Sequence, residues 1–215
     1  MSTFKVTGGH KLQGELNPQG AKNEALQILC AVLLTSEEIT IHNLPNIRDV
    51  NILIELLKDL GVSVKKIDQN TYTFCAKNVN IKYLSSEEYK NKSSKIRGSI
   101  MVLGPLLGRF GKGYIPRPGG DKIGRRRLDT HFIGFQKLGA KFDYNDKESF
   151  YKVNADKLKG VKMLLDEASV TGTANIIMAS VLRKDNKVSI YNAACEPYIQ
   201  QLCKMLNSMG AKITG

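Results

Sequence analysis

Long apolar runs are missing from this 215-residue chain. Nothing in it approaches the roughly 18 consecutive apolar residues that a membrane-spanning helix needs. Its N-terminus, MSTFKVTGGHKLQGEL, has no apolar stretch of the kind that directs secretion. These absences predict a cytoplasmic protein with no membrane partner. Cysteine is scarce as well. Cys30, Cys75, Cys195 and Cys203 show no C-x-x-C spacing and no neighbouring histidine pair, which argues against a disulfide framework and against a metal site. Cys30 and Cys203 fall on apolar helical faces, where a thiol serves as a small core residue. Aromatic residues do not interleave with the arginines, so the usual stacking pattern for nucleic-acid bases is lacking too.

What is abundant is positive charge. The formal net charge is +12, which implies a polyanionic partner: nucleic acid, an anionic membrane, or phosphorylated small molecules. Four of the eight arginines lie between Arg117 and Arg127, in a glycine-rich stretch rather than along a helix. The lysines are scattered and read as solvated surface. Hydrophobic residues make up 42% and charged residues 24%, enough apolar surface for a globular core.

The hydrophobic pattern repeats three times. Leu26, Leu29, Cys30, Leu33, then Ile100, Leu103, Gly104, Leu107, then Ala174, Ile177, Met178, Val181 each mark one face of a helix. Each helix begins with small residues (GAKN, RGS, TGTAN) and leads to a strand-like run (EITIHN, GYIPR, KVSIYN). A second amphipathic helix follows, ending on LG, LG and MG at Gly61, Gly139 and Gly210. β-rich stretches come next, the last being AKITG. The period of 71 to 78 residues is too long for a solenoid and predicts one pseudo-threefold α/β domain, its helices packed inside against sheets. Repeats are expected at about 20–80, 93–155 and 168–215. The third lacks its final strand, which leaves an open sheet edge able to pair with another chain.

The middle repeat departs from this template. From strand end to helix end, the first and third repeats take 17 residues and the middle one 21. The extra residues fall in PGGDKIGRRR, residues 118–127, and five glycines lie between 111 and 124. A long basic loop that breaks its own template reads as functional.

The three first-helix starts are candidate anion sites, because free N–H groups and the positive dipole end favour negative charge there. Lys22 would add a point charge and Asn23 an amide at the first start. An ordinary helix start with a solvated lysine fits those residues equally well. Arg97 stands at the second, and Ser169, Thr171 and Thr173 offer hydroxyls at the third. Arg125, Arg126 and Arg127 cannot all point one way. Asp129 is either an N-terminal helix charge or a ligand contact, and His131 either a satisfied helix-face histidine or a functional one.

GAKNEAL at 20–26, PGGDKIGRRRLDTH at 118–131 and the repeated LG endings closely resemble the UDP-N-acetylglucosamine 1-carboxyvinyltransferases of the enolpyruvyl transferase family. The resemblance runs from about residue 4 to the end. The 3-phosphoshikimate 1-carboxyvinyltransferases share the fold but typically carry GSKS in place of GAKN, so they form the alternative reading. A basic nucleic-acid-binding protein is the non-enzymatic one.

The resemblance implies an inside-out α/β fold and transfer of the enolpyruvyl group of phosphoenolpyruvate to the 3′-hydroxyl of UDP-N-acetylglucosamine. That reaction opens peptidoglycan synthesis, passes through a tetrahedral intermediate, and uses no metal or cofactor. By resemblance, Lys22 holds phosphoenolpyruvate, Asn23 contacts the sugar, and Arg97 and Arg126 face the anionic substrates. Arg126, Arg127, Leu128, Asp129 and Thr130, with Glu167, Ala168, Ser169 and Val170, line the nucleotide-sugar site. Asp121 stands where most members carry a cysteine that protonates the methylene carbon. Family members are about twice this long. Residues 1–19 would be a strand region packed with a second domain, residues 20–215 the first domain, and the chain inactive alone.

Overall fold

The computed structural model describes residues 3–116, 127–145, 150–184 and 187–215. The first repeat contains α1 (Lys22–Ala31), β1 (Glu38–Ile41), α2 (Arg48–Asp59), β2 (Ser63–Lys66) and β3 (Tyr72–Cys75). A short helix, α3 (Glu87–Ser93), follows between two 3₁₀ turns, Ile81–Ser85 and Arg97–Val102. The second repeat contains α4 (Leu103–Phe110), β4 (Lys112–Pro116), α5 (Asp129–Lys137), β5 (Lys141–Asn145) and β6 (Phe150–Asn154). The third has β7 (Lys162–Leu164), α6 (Val170–Ser180), β8 (Ser189–Tyr191) and α7 (Pro197–Ser208).

The repeat is visible in register as well as in order. The first sheet runs β1-β3-β2 and the second β4-β6-β5, both antiparallel. In the first, Glu38 and Ser63 both face Cys75; in the second, Lys112 and Lys141 both face Asn154. Each outer strand therefore starts opposite the last residue of the central strand.

The three second helices also end alike. The glycine N–H bonds back to Lys58, Gln136 and Asn207, and the next N–H to Leu57, Phe135 and Leu206. This double bond pattern requires a left-handed residue, and Gly61, Gly139 and Gly210 have φ of 92°, 97° and 103°. Asn43 and Asn192 occupy matching positive-φ sites after β1 and β8, a conformation asparagine tolerates better than most residues.

Several expectations need correction. α6 is buried nearly all round: Thr173, Asn175 and Ile176 are as buried as Ala174 and Met178, whereas Ile177 and Val181 are only half-buried. A helix at the centre of a core has no polar face for a periodicity to reveal. β7 pairs parallel with β8, a strand ahead of the helix that the repeat template lacks. Residues 209–215 form no strand. Residues 3–20, expected to pack with a second domain, carry no strand within this chain, and Phe4, Val6, Leu12 and Leu16 there are almost fully exposed. A strand persists only where a neighbouring strand takes its N–H and C=O groups.

The core is assembled around α1, α4 and α6. The closest approach is between α4 and α6, where a Cβ added at Gly104 would collide with the backbone oxygen of Asn175. Asn175, fully buried, makes the approach productive: its Oδ1 accepts from Gly104 N at 2.6 Å and its Nδ2 donates to Ile100 O at 2.8 Å. Backbone cannot yield as a flexible side chain can. Gly104→Ala is therefore expected to destabilise the chain by about 1–3 kcal/mol, read as a lower urea midpoint. An unchanged midpoint would mean that α4 and α6 are not held this closely.

Candidate active site

Small residues let the segments around the helix starts pack closely. Gly20 backs onto Asn43, where any Cβ would strike the carbonyl oxygen. A Cβ at Gly98 would lie 3.0 Å from Leu26 Cδ1, and one at Gly172 would lie 2.9 Å from Thr130 Cγ2. Gly98 thus brings the Arg97 turn against α1, and Gly172 brings α6 against the start of α5. The starts of α1, of the Arg97–Val102 turn and of α5 have no side-chain cap. Their leading N–H groups are left for solvent or a ligand. α6 alone of these is capped, Ser169 Oγ accepting from Gly172 N at 3.2 Å.

Lys22 opens α1 and its Nζ lies 3.2 Å from Asp49 Oδ2 in the first turn of α2. Both side chains are substantially exposed, and such pairs contribute at most about 1 kcal/mol. The ammonium can therefore exchange Asp49 for a stronger anion. Asn23 is exposed beside it.

The rest of the cluster is knitted together. Arg97 Nη2 donates to Arg127 O at 3.1 Å. Arg127 Nε donates to Asp129 Oδ2 at 2.8 Å, and that bond holds the guanidinium pKa above its ordinary value. Leu128, half-buried, precedes α5. Thr130 is buried and its Oγ1 donates to Asp166 Oδ1 at 2.8 Å, with Glu167 Oε1 at 3.4 Å. Residues 127–130 and 166–170 are thereby joined, with Glu167 and Ala168 exposed and Ser169 and Val170 half-buried. Asp121, Arg125 and Arg126 lie outside the described residues.

Thr173 is corrected. It is fully buried and its hydroxyl oxygen accepts from Ala194 N at 3.0 Å, so it ties α6 to the chain before α7 instead of facing a ligand. His131 proves more connected than a helix-face residue: buried in α5, it contacts Thr171 Oγ1 through Nε2 at 3.1 Å and Asn175 Nδ2 through Nδ1 at 3.0 Å. Asp166 and Asn175 had no signal of their own in the sequence, because their partners are about 36 and 44–75 residues away. A cavity of about 570 Å³ lies elsewhere, against Arg109, Lys112 and Arg183 at the far ends of α4 and α6. The candidate site is an open surface across the helix starts.

Comparison with known proteins bears on the family and the fold. The family model for EPSP synthase (3-phosphoshikimate 1-carboxyvinyltransferase) matches residues 6–215. A UDP-N-acetylglucosamine 1-carboxyvinyltransferase of Bacteroides fragilis is 62% identical over all 215 residues, which span 49% of that protein. One from Borreliella burgdorferi is 48% identical, again over the whole chain and 48% of the relative. The chain thus spans about half the length of the curated relatives it matches. Among solved structures, the enolpyruvyl transferase NikO of Streptomyces tendae superposes with a TM-score of 0.79 at 16% identity, covering 97% of this chain and 47% of that one. EPSP synthase of Acinetobacter baumannii gives 0.72 at 13%, covering 94% and 45%. At such identities these two structures speak for the fold.

Burial first, and the Arg97 charge second, push the His131 imidazole down from 6.5 to about 4. Between these values the unfolded chain binds a proton that the folded chain does not, so stability falls as pH drops from 6.5 towards 4. The full effect is about 3 kcal/mol. Urea midpoints at pH 7 and about pH 5, where most carboxylates remain ionised, should show the start of this loss. His131→Gln, which cannot titrate, should flatten it. A slope unchanged in that variant would place the titration elsewhere.

Proposed function

The chain belongs to the EPSP synthase (3-phosphoshikimate 1-carboxyvinyltransferase) family, and from that premise we propose that it forms one half of a UDP-N-acetylglucosamine 1-carboxyvinyltransferase acting in the cytoplasm. The observation that carries this reading is the packing of the Arg97 turn against α1 at Gly98 and Leu26, with Lys22 and Asn23 in the first turn of that helix. The joined segments 127–130 and 166–170 complete the cluster. The 62% identity to a relative of that name and the GAKN start favour the nucleotide sugar over shikimate 3-phosphate as acceptor.

In this reading, phosphoenolpyruvate takes Lys22 from Asp49 and lies between it and Arg97 and Arg126. The nucleotide sugar rests on Arg126, Arg127, Leu128, Asp129 and Thr130 and on Glu167, Ala168, Ser169 and Val170, with Asn23 at its sugar. The acceptor hydroxyl oxygen adds to C2 of phosphoenolpyruvate while C3 gains a proton. The intermediate then gives a methyl proton from C3 to a base, the C2=C3 bond re-forms, and the C2–O bond to phosphate breaks to release inorganic phosphate. Asp121 is the proton donor to C3. It must be protonated beforehand, and its neighbours Lys122, Arg125, Arg126 and Arg127 oppose this by stabilising the carboxylate. Two anionic substrates in a closed site act in the other direction. The base that takes the acceptor's proton comes from a second domain, against which residues 1–19 pack. That assignment gives the exposed Phe4, Val6, Leu12 and Leu16 a partner.

Phosphate release from phosphoenolpyruvate tests the reading. The 215-residue chain alone should give essentially no turnover, since base and orientation effects supply many orders of magnitude. A protein extended to the relatives' length should turn over with UDP-N-acetylglucosamine and not with shikimate 3-phosphate. The opposite acceptor preference would reassign the protein. In the extended protein, Lys22→Ala should lower kcat/KM for phosphoenolpyruvate by about tenfold to a hundredfold.

Epoxides of the fosfomycin type alkylate a thiolate at the proton donor's position. The extended protein should resist them, and Asp121→Cys should become sensitive. Mass spectrometry finding an adduct on the parent protein would remove Asp121 from its assigned role.

A further inference from the structure

His131 is a buried histidine that the proposed reaction does not employ, and the groups around it determine where its proton sits. The Asn175 amide is oriented from two sides, its Oδ1 by the Gly104 N–H and its Nδ2 by the Ile100 carbonyl. The same Nδ2 lies 3.0 Å from His131 Nδ1. An amide nitrogen only donates, so Nδ1 accepts and carries no proton in the neutral ring. The proton is on Nε2, and Nε2–H donates to Thr171 Oγ1 at 3.1 Å. Because Nε2 donates to it, the threonine hydroxyl does not spend its single hydrogen on the ring, and that hydrogen stays available to a further acceptor. Among the described residues no protein acceptor takes the Thr171 hydrogen.

Thr171 follows Val170 directly and is half exposed. Two residues earlier, Ser169 Oγ accepts from Gly172 N, which leaves its single hydrogen available to donate. The oxygens of a diphosphate diester accept hydrogen bonds and donate none at neutral pH. A pair of hydroxyls held as donors matches that chemistry.

We propose that Thr171 is a further substrate-binding residue, donating its hydroxyl hydrogen to a diphosphate oxygen of the nucleotide sugar, and that His131 is the positioning residue that keeps it a donor. This rests on the reading above that residues 167–170 line the nucleotide-sugar site. His131 acts through Thr171 and touches no substrate. The relay runs from the α4–α6 crossing to the surface, Gly104 to Asn175 to His131 to Thr171, so the core geometry sets the direction of a hydrogen bond at the site.

Two measurements on the 215-residue chain test it. A long-range ¹H–¹⁵N spectrum of labelled protein should show His131 protonated on Nε2 alone; the Nδ1–H tautomer would overturn the relay. Calorimetric titration with UDP should show Thr171→Val binding about tenfold or more weakly, with Thr171→Ser recovering most of the affinity. His131→Phe should weaken UDP binding in the parent background and add nothing in the Thr171→Val background. Additive losses would mean that His131 acts independently of Thr171. If His131→Phe fails to fold, His131→Gln, whose amide keeps an N–H near the place of Nε2, should bind as the Thr171→Ser variant does; a loss equal to that of Thr171→Val would overturn the positioning role. Equal affinity in the parent chain and Thr171→Val sinks the inference alone. A parent chain that binds no UDP sinks the nucleotide-sugar reading of this surface and the inference with it.

Discussion

The crossing of α4 and α6 at Gly104 and Asn175 is the constraint on which the rest depends. A buried amide has four hydrogen-bonding positions to satisfy, and this one serves two backbone groups of the segment leading into α4 and one ring nitrogen of α5. The absence of a side chain at Gly104 admits the partner backbone, and the amide then makes the fit specific. Any other helix spacing would leave polar groups buried without partners, which costs more than the packing alone would return.

From that crossing outward, the candidate surface follows by proximity. Small residues at the helix starts allow backbone to approach backbone or a neighbouring side chain, so Arg97, Thr130 and Ser169 come from segments far apart in the chain. Positive charge is not uniformly devoted to ligands. Arg109, one of the eight arginines, has its guanidinium Nη1 within 3.0 Å of three carbonyl oxygens, those of Leu33, Thr35 and Ala76. It fastens the end of the first helical segment to the end of β3. The acidic groups near the site are likewise engaged, Asp129 with Arg127 and Asp166 with Thr130, which moderates their repulsion of an anion.

The elements that could be read correctly are those whose signal is local. Helix endings at Gly61, Gly139 and Gly210 announce a left-handed residue within the last turn, and an amphipathic helix such as α2 shows its buried Val50, Leu53, Ile54 and Leu57 as a stripe. α6 could be recognised as a helix but its buried face could not, since Thr173 and Asn175 look like surface residues until distant partners are known. β7 is three residues long and exists only by pairing with β8, about 27 residues further on. The strand region that the family resemblance implies at residues 1–19 has no neighbouring strand among the described residues.

By itself, the sequence determined the threefold α/β plan, the family, and the residue types gathered at the helix starts. Each of these depends on periodicity, on capping chemistry or on a contiguous motif, all within reach of a few turns of chain. Only the tertiary structure decided that Thr173 is fully buried while Thr171 is half exposed, that Lys22 rests on Asp49, and that the His131 ring sits between Asn175 and Thr171. Those outcomes turn on hydrogen bonds between residues about 21 to 75 positions apart, and no local pattern specifies which of two hydroxyls, or which of two ring nitrogens, will find its partner.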